Sequence, residues 1–381
     1  MVKRDRLADT FRFLVEIDSV SKEEAAISKE IQKILESMGA KIFIDNAGDR
    51  AGGNTGNLIA RFEGNAAAPV LLLNAHMDTV QPGKGVKPIL KDGIFTTDGT
   101  TILGADDKSA IAILLETIRI LHENDLPFGP IELVFTICEE IGLQGAKHLD
   151  FSLITAKYGY ALDATDTEGI ITRAPAANKV EFKVHGKDAH AGAAPEKGIN
   201  AIFLASQAIA GLEIGRIDRE TTCNIGIIEG GIATNIVPNL VTVKGEVRSH
   251  DEEKLMEITD RFVSGFKTVL ENYKKATGEE DLPRLEFQVE SDFYRTHIPE
   301  DHPVVTLARE AAENLGRKMI TKTTGGGADA NIFFEKGIIT GVLGTGMRDM
   351  HTVRESIKLD DMVEVVELLV EIITLHAKKA S

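Results

Sequence analysis

Short apolar runs alternate with helical patterns along most of this chain, and this alternation limits the folds open to it. Residues 70–73, 131–137 and 158–162 are almost continuously apolar, which is typical of strands buried on both faces. Residues 110–121 repeat their apolar positions with a helical period. Continuous apolar strands that alternate with helices indicate a mainly parallel sheet covered on both sides. The sequence therefore predicts an α/β fold with a mixed, largely parallel sheet sandwiched by helices.

The middle of the chain has a different pattern. Between residues 175 and 294, apolar and polar positions predict the order strand-helix-strand-strand-helix-strand, which is that of a ferredoxin-like α+β unit. A chain of 381 residues also exceeds what one hydrophobic core usually supports. We therefore expect residues 175–294 to form an inserted domain, and residues 1–174 and 295–381 to form one domain from both ends of the chain.

Two local features near the amino end predict a helix start and a loop. Ser21 and Glu24 stand three residues apart ahead of an apolar stretch, and this is the spacing of a capping box. It predicts that both side chains cap a helix that begins at Ala25. The Gly-rich stretch from Gly48 to Gly56 predicts a loop.

Composition excludes several kinds of partner. The net charge is −16, so the surface repels phosphate backbones, and we expect no nucleic-acid partner. No apolar run reaches the roughly eighteen residues that a membrane span needs, so we expect no membrane partner. Two cysteines, Cys138 and Cys223, cannot form a disulfide scaffold, which indicates a reducing cytoplasm.

Residue types that bind divalent metals stand at the ends of the predicted elements. Ligands in open α/β sheets gather beyond the carboxyl ends of the strands, so we expect these side chains to converge. Two imidazoles and three carboxylates suit a pair of zinc ions, or cobalt or manganese, and a carboxylate shared between both ions would fix their spacing. Such a ligand set would be drawn from five clusters, which are His76 with Asp78, Asp106 in Asp106-Asp107, Glu139 with Glu140, Asp163, and His351.

Each of these clusters has an ordinary alternative explanation. A single His-x-Asp is often surface chemistry, Glu139-Glu140 could be a solvated strand end, and Asp106-Asp107 could be an acidic helix start. Their joint occurrence favours function, because four clusters follow apolar strands and the fifth opens a helix. Burying so many carboxylates without a cation would also be costly.

These residues resemble a known family. Over nearly the whole chain, they are similar to the dizinc superfamily of peptidase T, glutamate carboxypeptidase and aminoacylase. The stretch from Asp98 to Gly104 most resembles the peptidase T-like, or tripeptide aminopeptidase-like, branch. The motifs that carry the resemblance are His76-Met77-Asp78, Gly104-Ala105-Asp106-Asp107-Lys108, Glu139-Glu140, Asp163 and His351.

The resemblance implies a role for each residue. Asp106 would bridge two zinc ions, His76 and Asp163 would complete one ion, and Glu140 and His351 the other. Asp78 would orient His76 by accepting its second N–H, a common arrangement at zinc sites. Glu139 would act as the general base. In this family the peptide bond after Asp106 is often cis.

The resemblance also implies that the inserted domain is a lid and dimerisation domain with substrate-binding residues. His190, in the motif from Asp188 to Pro195, would help to stabilise the oxyanion. Asn235 and Arg248 resemble residues that hold the substrate backbone or carboxylate, and Gly327 lies in a loop whose N–H groups would approach the substrate. Relatives whose lid histidine reaches across a homodimer imply a homodimer through the inserted domain.

Together these features predict a cytoplasmic dizinc metallopeptidase of short peptides, with metal-bound hydroxide as nucleophile and Glu139 as base. The favoured activity is that of an aminopeptidase on di- and tripeptides. A carboxypeptidase or an N-acyl amino acid deacylase stays open as the alternative, because Asn235 and Arg248 would serve either. A non-catalytic binding protein would have lost the base or the bridging ligand, whereas Glu139 and Asp106 are both present.

Overall fold

A computed structural model describes residues 2–380, which form two compact units. The main unit comprises residues 2–173, Thr296–Thr324 and 328–380, and the inserted unit comprises Ala174–Arg295 and Gly325–Gly327. The assignment of these parts of the chain to a dimetal catalytic domain and a lid or dimerisation domain stays a prediction.

Helices occur in both units. The helices are α1 (Arg4–Val15), α2 (Ala25–Ser37), α3 (Ala47–Ala51), α4 (Ala105–Glu123), α5 (Gln144–Lys147), α6 (Ala201–Ala210), α7 (Glu252–Thr277), α8 (Pro303–Asn314), α9 (Asp329–Glu335) and α10 (Leu359–Ala380). Short 3₁₀ turns lie at Phe151–Leu153 and Pro195–Lys197.

The strands form three sheets. They are β1 (Lys41–Ile44), β2 (Leu58–Phe62), β3 (Leu71–His76), β4 (Ile89–Lys91), β5 (Ile94–Thr96), β6 (Ile131–Thr136), β7 (Tyr158–Ala164), β8 (Gly169–Ala174), β9 (Ala176–His185), β10 (Gly215–Arg216), β11 (Thr221–Gly230), β12 (Leu240–Ser249), β13 (Arg284–Phe293), β14 (Thr296–His297), β15 (Ile320–Thr323), β16 (Ile339–Gly344) and β17 (Ile357–Lys358).

The large sheet of the main unit has the order β1-β2-β6-β3-β7-β16-β8-β14, with β15 beside β8. Its central strands β6, β3, β7 and β16 run parallel, whereas β1, β2 and β6 pair antiparallel, as do β16 and β8. The apolar runs form its centre, since β3 and β6 are buried along their whole length. This confirms the predicted mixed, largely parallel sheet.

Helix α4 lies at the centre of the main unit and packs against both strands and helices. One side of it packs on β3 and β7, and the other packs on α1 and α10. Its residues from Ala105 to Ile118 are buried without interruption, so the helix has no solvated face over that length. Because α4 begins at the carboxyl ends of the central strands, its first residues are brought to the edge where the predicted ligands follow β3, β6 and β7.

The inserted unit is an antiparallel sheet with helices on one face. Its order is β10-β11-β12-β9-β13, and α6 and α7 pack on it. Phe182 of β9 stacks on Phe266 of α7 at a centroid distance of 4.1 Å, inside the core of this unit. Without the two-residue β10, the strand order is that of the ferredoxin-like arrangement, as predicted.

The local predictions near the amino end need two corrections. Helix α2 does begin at Ala25, but the capping box is wrong: neither Ser21 nor Glu24 caps the helix with its side chain. Ser21 donates to Asp78 instead, and Glu24 accepts from Cys138. The Gly-rich stretch is not entirely loop, because Ala47–Ala51 forms the short helix α3.

Among residues 2–380, none of the helices combines the length and the apolar character that crossing a bilayer requires.

The buried ion pair between α1 and α4 allows a stability test. Glu116 is fully buried and accepts from Arg6 Nε at 2.7 Å and from Arg6 Nη2 at 2.8 Å. Replacing Arg6 by Ala leaves this carboxylate without its closest cation, so we expect the free energy of unfolding to fall by about 3 kcal/mol.

The matched control is Arg12→Ala on the same helix. Arg12 is 41% exposed and pairs with the exposed Asp9, so its loss should cost less than about 1 kcal/mol. Urea unfolding of both variants measures the difference. Equal losses would show that the buried pair contributes no more than a surface pair.

Candidate active site

The carboxyl ends of three parallel strands bring most of the predicted ligands to one edge of the sheet. His76 is the last residue of β3 and pairs in register with Thr136 at the end of β6. Glu139 and Glu140 follow within four residues of Thr136. Strand β7, on the other side of β3, carries Asp163 next to its last residue. The convergence expected from the sequence is therefore present in the main unit.

The Asp106 carboxylate lies between two imidazoles. Its Oδ1 is 3.0 Å from His76 Nε2, and its Oδ2 is 3.2 Å from His351 Nε2. His351 Nε2 is also 3.0 Å from Glu140 Oε1. Each oxygen of one carboxylate thus faces a different imidazole nitrogen, which is the arrangement that a carboxylate shared by two cations requires.

Two overlapping groups of side chains can hold a cation. One group is His76, Asp106 and Glu140, and the other is His76, Glu139 and Asp163; within each group the ligand atoms lie within 4.8 Å of one another. His351 joins the first group through its contacts with Asp106 and Glu140. The second group contains Glu139, so proximity alone does not distinguish a ligand from a base at this position.

The electrostatics of the cluster favour bound cations. Burial, followed by repulsion from Asp163, raises the pKa of Glu139 well above its usual value, and burial and Asp106 do the same to the pKa of Asp163. Hydrogen bonds to Asp106 and Glu140 raise the pKa of His351 to about 10. Carboxylates outnumber imidazoles here, so divalent cations would relieve their mutual repulsion.

Two buried carboxylate oxygens beside the cluster lack a hydrogen-bond donor among the residues described. They are Oδ1 of Asp107 and Oδ1 of Asp329. Burial raises the pKa of both carboxyl groups, the pKa of Asp329 to about 6. Burial of a carboxylate oxygen without a hydrogen bond destabilises the folded protein, and a nearby positive charge would offset this cost. The donor set therefore suits the predicted divalent metals.

Asp78 holds the turn that carries the two glutamates. Its Oδ1 accepts from the Glu139 N–H at 2.9 Å, and its Oδ2 accepts from the Glu140 N–H at 3.3 Å. His76 Nδ1 lies 3.0 Å from the Asp78 backbone carbonyl and 3.5 Å from its carboxylate. The histidine is therefore oriented mainly by the carbonyl, while the carboxylate orders the backbone at Glu139 and Glu140.

Glu355 is a further buried acid at the site, and no sequence motif pointed to it. Its Oε2 accepts from the N–H groups of Leu103 and Gly104 at 2.8 and 2.7 Å, and its Oε1 accepts from the N–H of Asp106 at 2.9 Å. Burial raises the pKa of Glu355 to about 7. It lies four residues after His351 and so connects the His351 loop to the start of α4. The peptide bond between Asp106 and Asp107 is cis, as the resemblance implied.

Asp107 and Asp329 were also missed, although Asp107 stands inside a quoted motif and Asp329 lies two residues after Gly327. Asp107 accepts from the His76 backbone N–H at 3.1 Å. Asp329 accepts from the hydroxyl of Thr136 and from the amide of Asn74. The sequence signal available for both was an acid one or two positions from a residue already selected, which does not reveal a buried position.

The first two predicted substrate residues lie on the surface of the inserted unit. His190 is exposed, and its Nδ1 accepts from the N–H groups of Gly192 and Ala193 at 3.2 and 3.1 Å. Asn235 is exposed too, and its backbone carbonyl accepts from the N–H of Ala191 at 2.9 Å. These bonds bring the two segments together and fix the orientation of the imidazole.

Arg248 and Gly327 meet at Phe293. The Arg248 guanidinium lies over the Phe293 ring at 5.8 Å, donates to Glu246 at 3.0 Å and reaches the Gly325 carbonyl at 3.4 Å. A Cβ atom at Gly327 would lie 2.5 Å from the same ring. Packing against Phe293 is thus a reason for glycine at 327 that the sequence did not show. The substrate-binding role of both residues stays a prediction.

Three relatives align with almost the whole chain. Uncharacterized protein YqjE of Bacillus subtilis strain 168 is 42% identical, over 99% of this chain and 100% of its own. The crystal structure of aminopeptidase PepT from Bacillus cereus ATCC 10987 is 41% identical, covers 99% of both chains and superposes with a TM-score of 0.87. A tripeptidase structure from Staphylococcus aureus subsp. aureus Mu50 is 36% identical, covers 99% of this chain and 100% of its own, and has a TM-score of 0.91.

The family model described as Peptidase family M20/M25/M40 matches residues 72–375, a span that includes each of the predicted metal ligands. The peptidase resemblance inferred from the sequence is confirmed, and this chain belongs to peptidase family M20/M25/M40.

Proposed function

We propose that this protein is a two-metal aminopeptidase that removes the amino-terminal residue from tripeptides and dipeptides. The observation that carries the proposal is the Asp106 carboxylate, whose two oxygens face His76 and His351 at 3.0 and 3.2 Å, with Glu139 in the same cluster. The two solved relatives described as an aminopeptidase and a tripeptidase support the choice of substrate.

Five side chains would hold the metals. Asp106 would serve both ions, His76 and Asp163 would complete one, and Glu140 and His351 would complete the other. Imidazole and carboxylate donors favour zinc, with cobalt or manganese as substitutes. When bound, such a pair of ions lowers the pKa of a water molecule and polarises the carbonyl group of the peptide.

Glu139 would move the proton. Its carboxylate accepts a proton from the water that attacks the peptide carbonyl carbon, and later delivers that proton to the nitrogen of the leaving amine. Its neighbour Glu140 is directed at His351, and Asp78 holds the backbone N–H groups of both glutamates. This backbone geometry supports different roles for the two adjacent residues, with Glu139 as the base and Glu140 as a metal ligand.

Residues of the inserted unit would bind the substrate. Arg248 carries a guanidinium suited to a carboxylate, and its contacts with Glu246 and Gly325 restrict its movement. His190 would donate to the oxyanion formed during attack, Asn235 would bind the peptide backbone, and the Gly327 loop would approach it through N–H groups.

The active form we propose is a homodimer through the inserted unit. Strand β10 pairs only with Thr222 and Cys223 of β11, so the rest of β11 is an outer edge in the part of the chain that is described. Ile227 and Ile228 on this edge are 46% and 50% exposed, and Phe203 on α6 is 57% exposed. An unpaired edge that carries exposed apolar side chains favours strand-to-strand association of two copies.

We place this enzyme in the cytoplasm. Both of its cysteines, Cys138 and Cys223, are buried as free thiols, which suits a reducing compartment.

Removal of the base tests the mechanism. We expect Glu139→Gln to lower kcat by about 10²- to 10⁴-fold, because glutamine cannot accept the proton. Both metals should stay bound, as measured by elemental analysis of the purified variant. Glu63→Gln, at an exposed glutamate outside the cluster, is the control and should keep full activity. Unchanged turnover in Glu139→Gln would contradict the proposed role.

End-group modification of the substrate tests the direction of cleavage. A free tripeptide should give an amino-terminal amino acid and a dipeptide, and N-acetylation should abolish cleavage. C-amidation should mainly raise KM, because Arg248 would lose a carboxylate partner. Mass spectrometry of the products distinguishes these results. Cleavage that survives N-acetylation and is abolished by C-amidation would instead support a carboxypeptidase or deacylase.

The dimer is testable with a charged substitution on the β11 edge. We expect sedimentation to show a dimer for the unmodified protein and a monomer for Ile228→Arg, since a buried arginine would find no partner there. Met256→Arg, at a residue of the same unit that is 52% exposed, should stay dimeric. A dimeric Ile228→Arg, or a monomeric unmodified protein, would overturn this interface.

A further inference from the structure

The segment from Ser19 to Glu24, just ahead of α2, lies against the main-unit site. The Ser19 hydroxyl donates to the Met77 carbonyl at 2.9 Å, and the Thr79 N–H donates to the Ser19 carbonyl at 3.0 Å. The Ser21 hydroxyl donates to Asp78 Oδ2 at 2.6 Å. The side chains that the sequence assigned to helix capping are therefore directed at residues that follow β3 and β6.

Within the described residues, the Glu24 carboxylate makes its hydrogen bonds through one oxygen. Its Oε1 accepts from the N–H of Lys22 at 2.9 Å, from the N–H of Cys138 at 3.0 Å and from the Cys138 thiol at 3.3 Å. Its Oε2 is buried and has no donor among residues 2–380. The side chain is wholly buried. The bond to Cys138 crosses 114 residues of sequence.

Cys138 occupies a backbone conformation that needs such support. Its φ is +52°, in the left-handed region that non-glycine residues avoid. This conformation turns the chain after β6 so that the next two N–H groups meet the Asp78 carboxylate. Three successive N–H groups, from Cys138 to Glu140, therefore donate to two buried acids. Strained backbone of this kind persists only where its surroundings determine it.

We propose that Glu24 is a positioning residue that sets the direction of Glu139 by binding the backbone N–H of Cys138. Glu24 binds the N–H of Cys138, the residue before the base, and Asp78 binds the N–H groups of Glu139 and Glu140. Loss of the bond to Cys138 would allow the turn to relax toward ordinary φ values. The Glu139 side chain would then move away from the water molecule that it deprotonates. This inference rests on the proposed role of Glu139 as general base.

The one-oxygen geometry makes the inference specific. Gln in place of Glu24 keeps an oxygen at Oε1 and puts an amide at the position of the unpartnered Oε2, so Glu24→Gln should retain nearly full kcat. Glu24→Ala removes the acceptor, and Glu24→Asp withdraws it by one methylene while keeping the charge. Both should lower kcat by at least about tenfold, the usual effect of losing a supporting hydrogen bond at a metal site. KM should change less than twofold, and two metals per chain should stay bound.

The decisive experiment is a double-mutant cycle with Glu139→Gln, measured as kcat on a free tripeptide in the metal-loaded enzyme. If Glu24 acts through Glu139, then Glu24→Ala should have no further effect once Glu139 is Gln. The matched control is Glu23→Gln, because Glu23 is exposed and forms a surface ion pair with Lys84. The control should leave kcat unchanged in both backgrounds.

Several results would overturn the inference. One such result is that Glu24→Ala lowers kcat equally in the Glu139 and the Glu139→Gln backgrounds. A loss of bound metal in Glu24→Ala, or an unchanged kcat, would also show that Glu24 does not act through the base. A Glu24→Gln variant as impaired as the alanine variant would show that charge, rather than position, matters. If Glu24→Ala does not fold, the same cycle with Glu24→Asp decides between these outcomes. Full turnover in Glu139→Gln alone would instead reject the proposed general base, and this inference with it.

Discussion

The contact of one carboxylate with two imidazoles is the interaction on which the rest of the site depends. Asp106 can face both His76 and His351 only because α4 begins at the carboxyl ends of β3, β6 and β7, and because α4 is buried against that sheet. The other ligands are arranged around this carboxylate. The α/β core thus serves to bring one acid to the point where residues 275 positions apart (351 − 76) meet.

Buried carboxylates of the main unit make two kinds of contact. Some face the imidazoles, and others hold backbone N–H groups of the residues next to them. Glu355 binds the backbone at the start of α4, Asp78 binds it at both glutamates, and Glu24 binds it at Cys138. A carboxylate accepts several N–H bonds at once, so one side chain can fix the backbone of a whole turn. The accumulated negative charge is what makes bound cations favourable.

The sequence predicted the parts of the site that depend on order along the chain. Apolar strands followed by His76, Glu139-Glu140 and Asp163 indicated both the sheet and its functional edge. It did not reveal partners whose contact depends on tertiary packing. Glu355 lies 249 residues from Asp106, and Ser21 with Glu24 fitted a local capping pattern that the folded chain does not use. The packing of Phe293 against Gly327 likewise has no local signal, because it depends on how β13 passes the loop that contains Gly327.

Anomalous X-ray diffraction at the zinc edge, from crystals of the zinc-loaded protein, would locate each ion. We expect two peaks, one beside each oxygen of Asp106, with His76 and Asp163 on one ion, Glu140 and His351 on the other, and Glu139 coordinated to neither. A single peak, or two peaks that Asp106 does not bridge, would contradict the two-metal site. Direct coordination by Glu139 would contradict its role as the base.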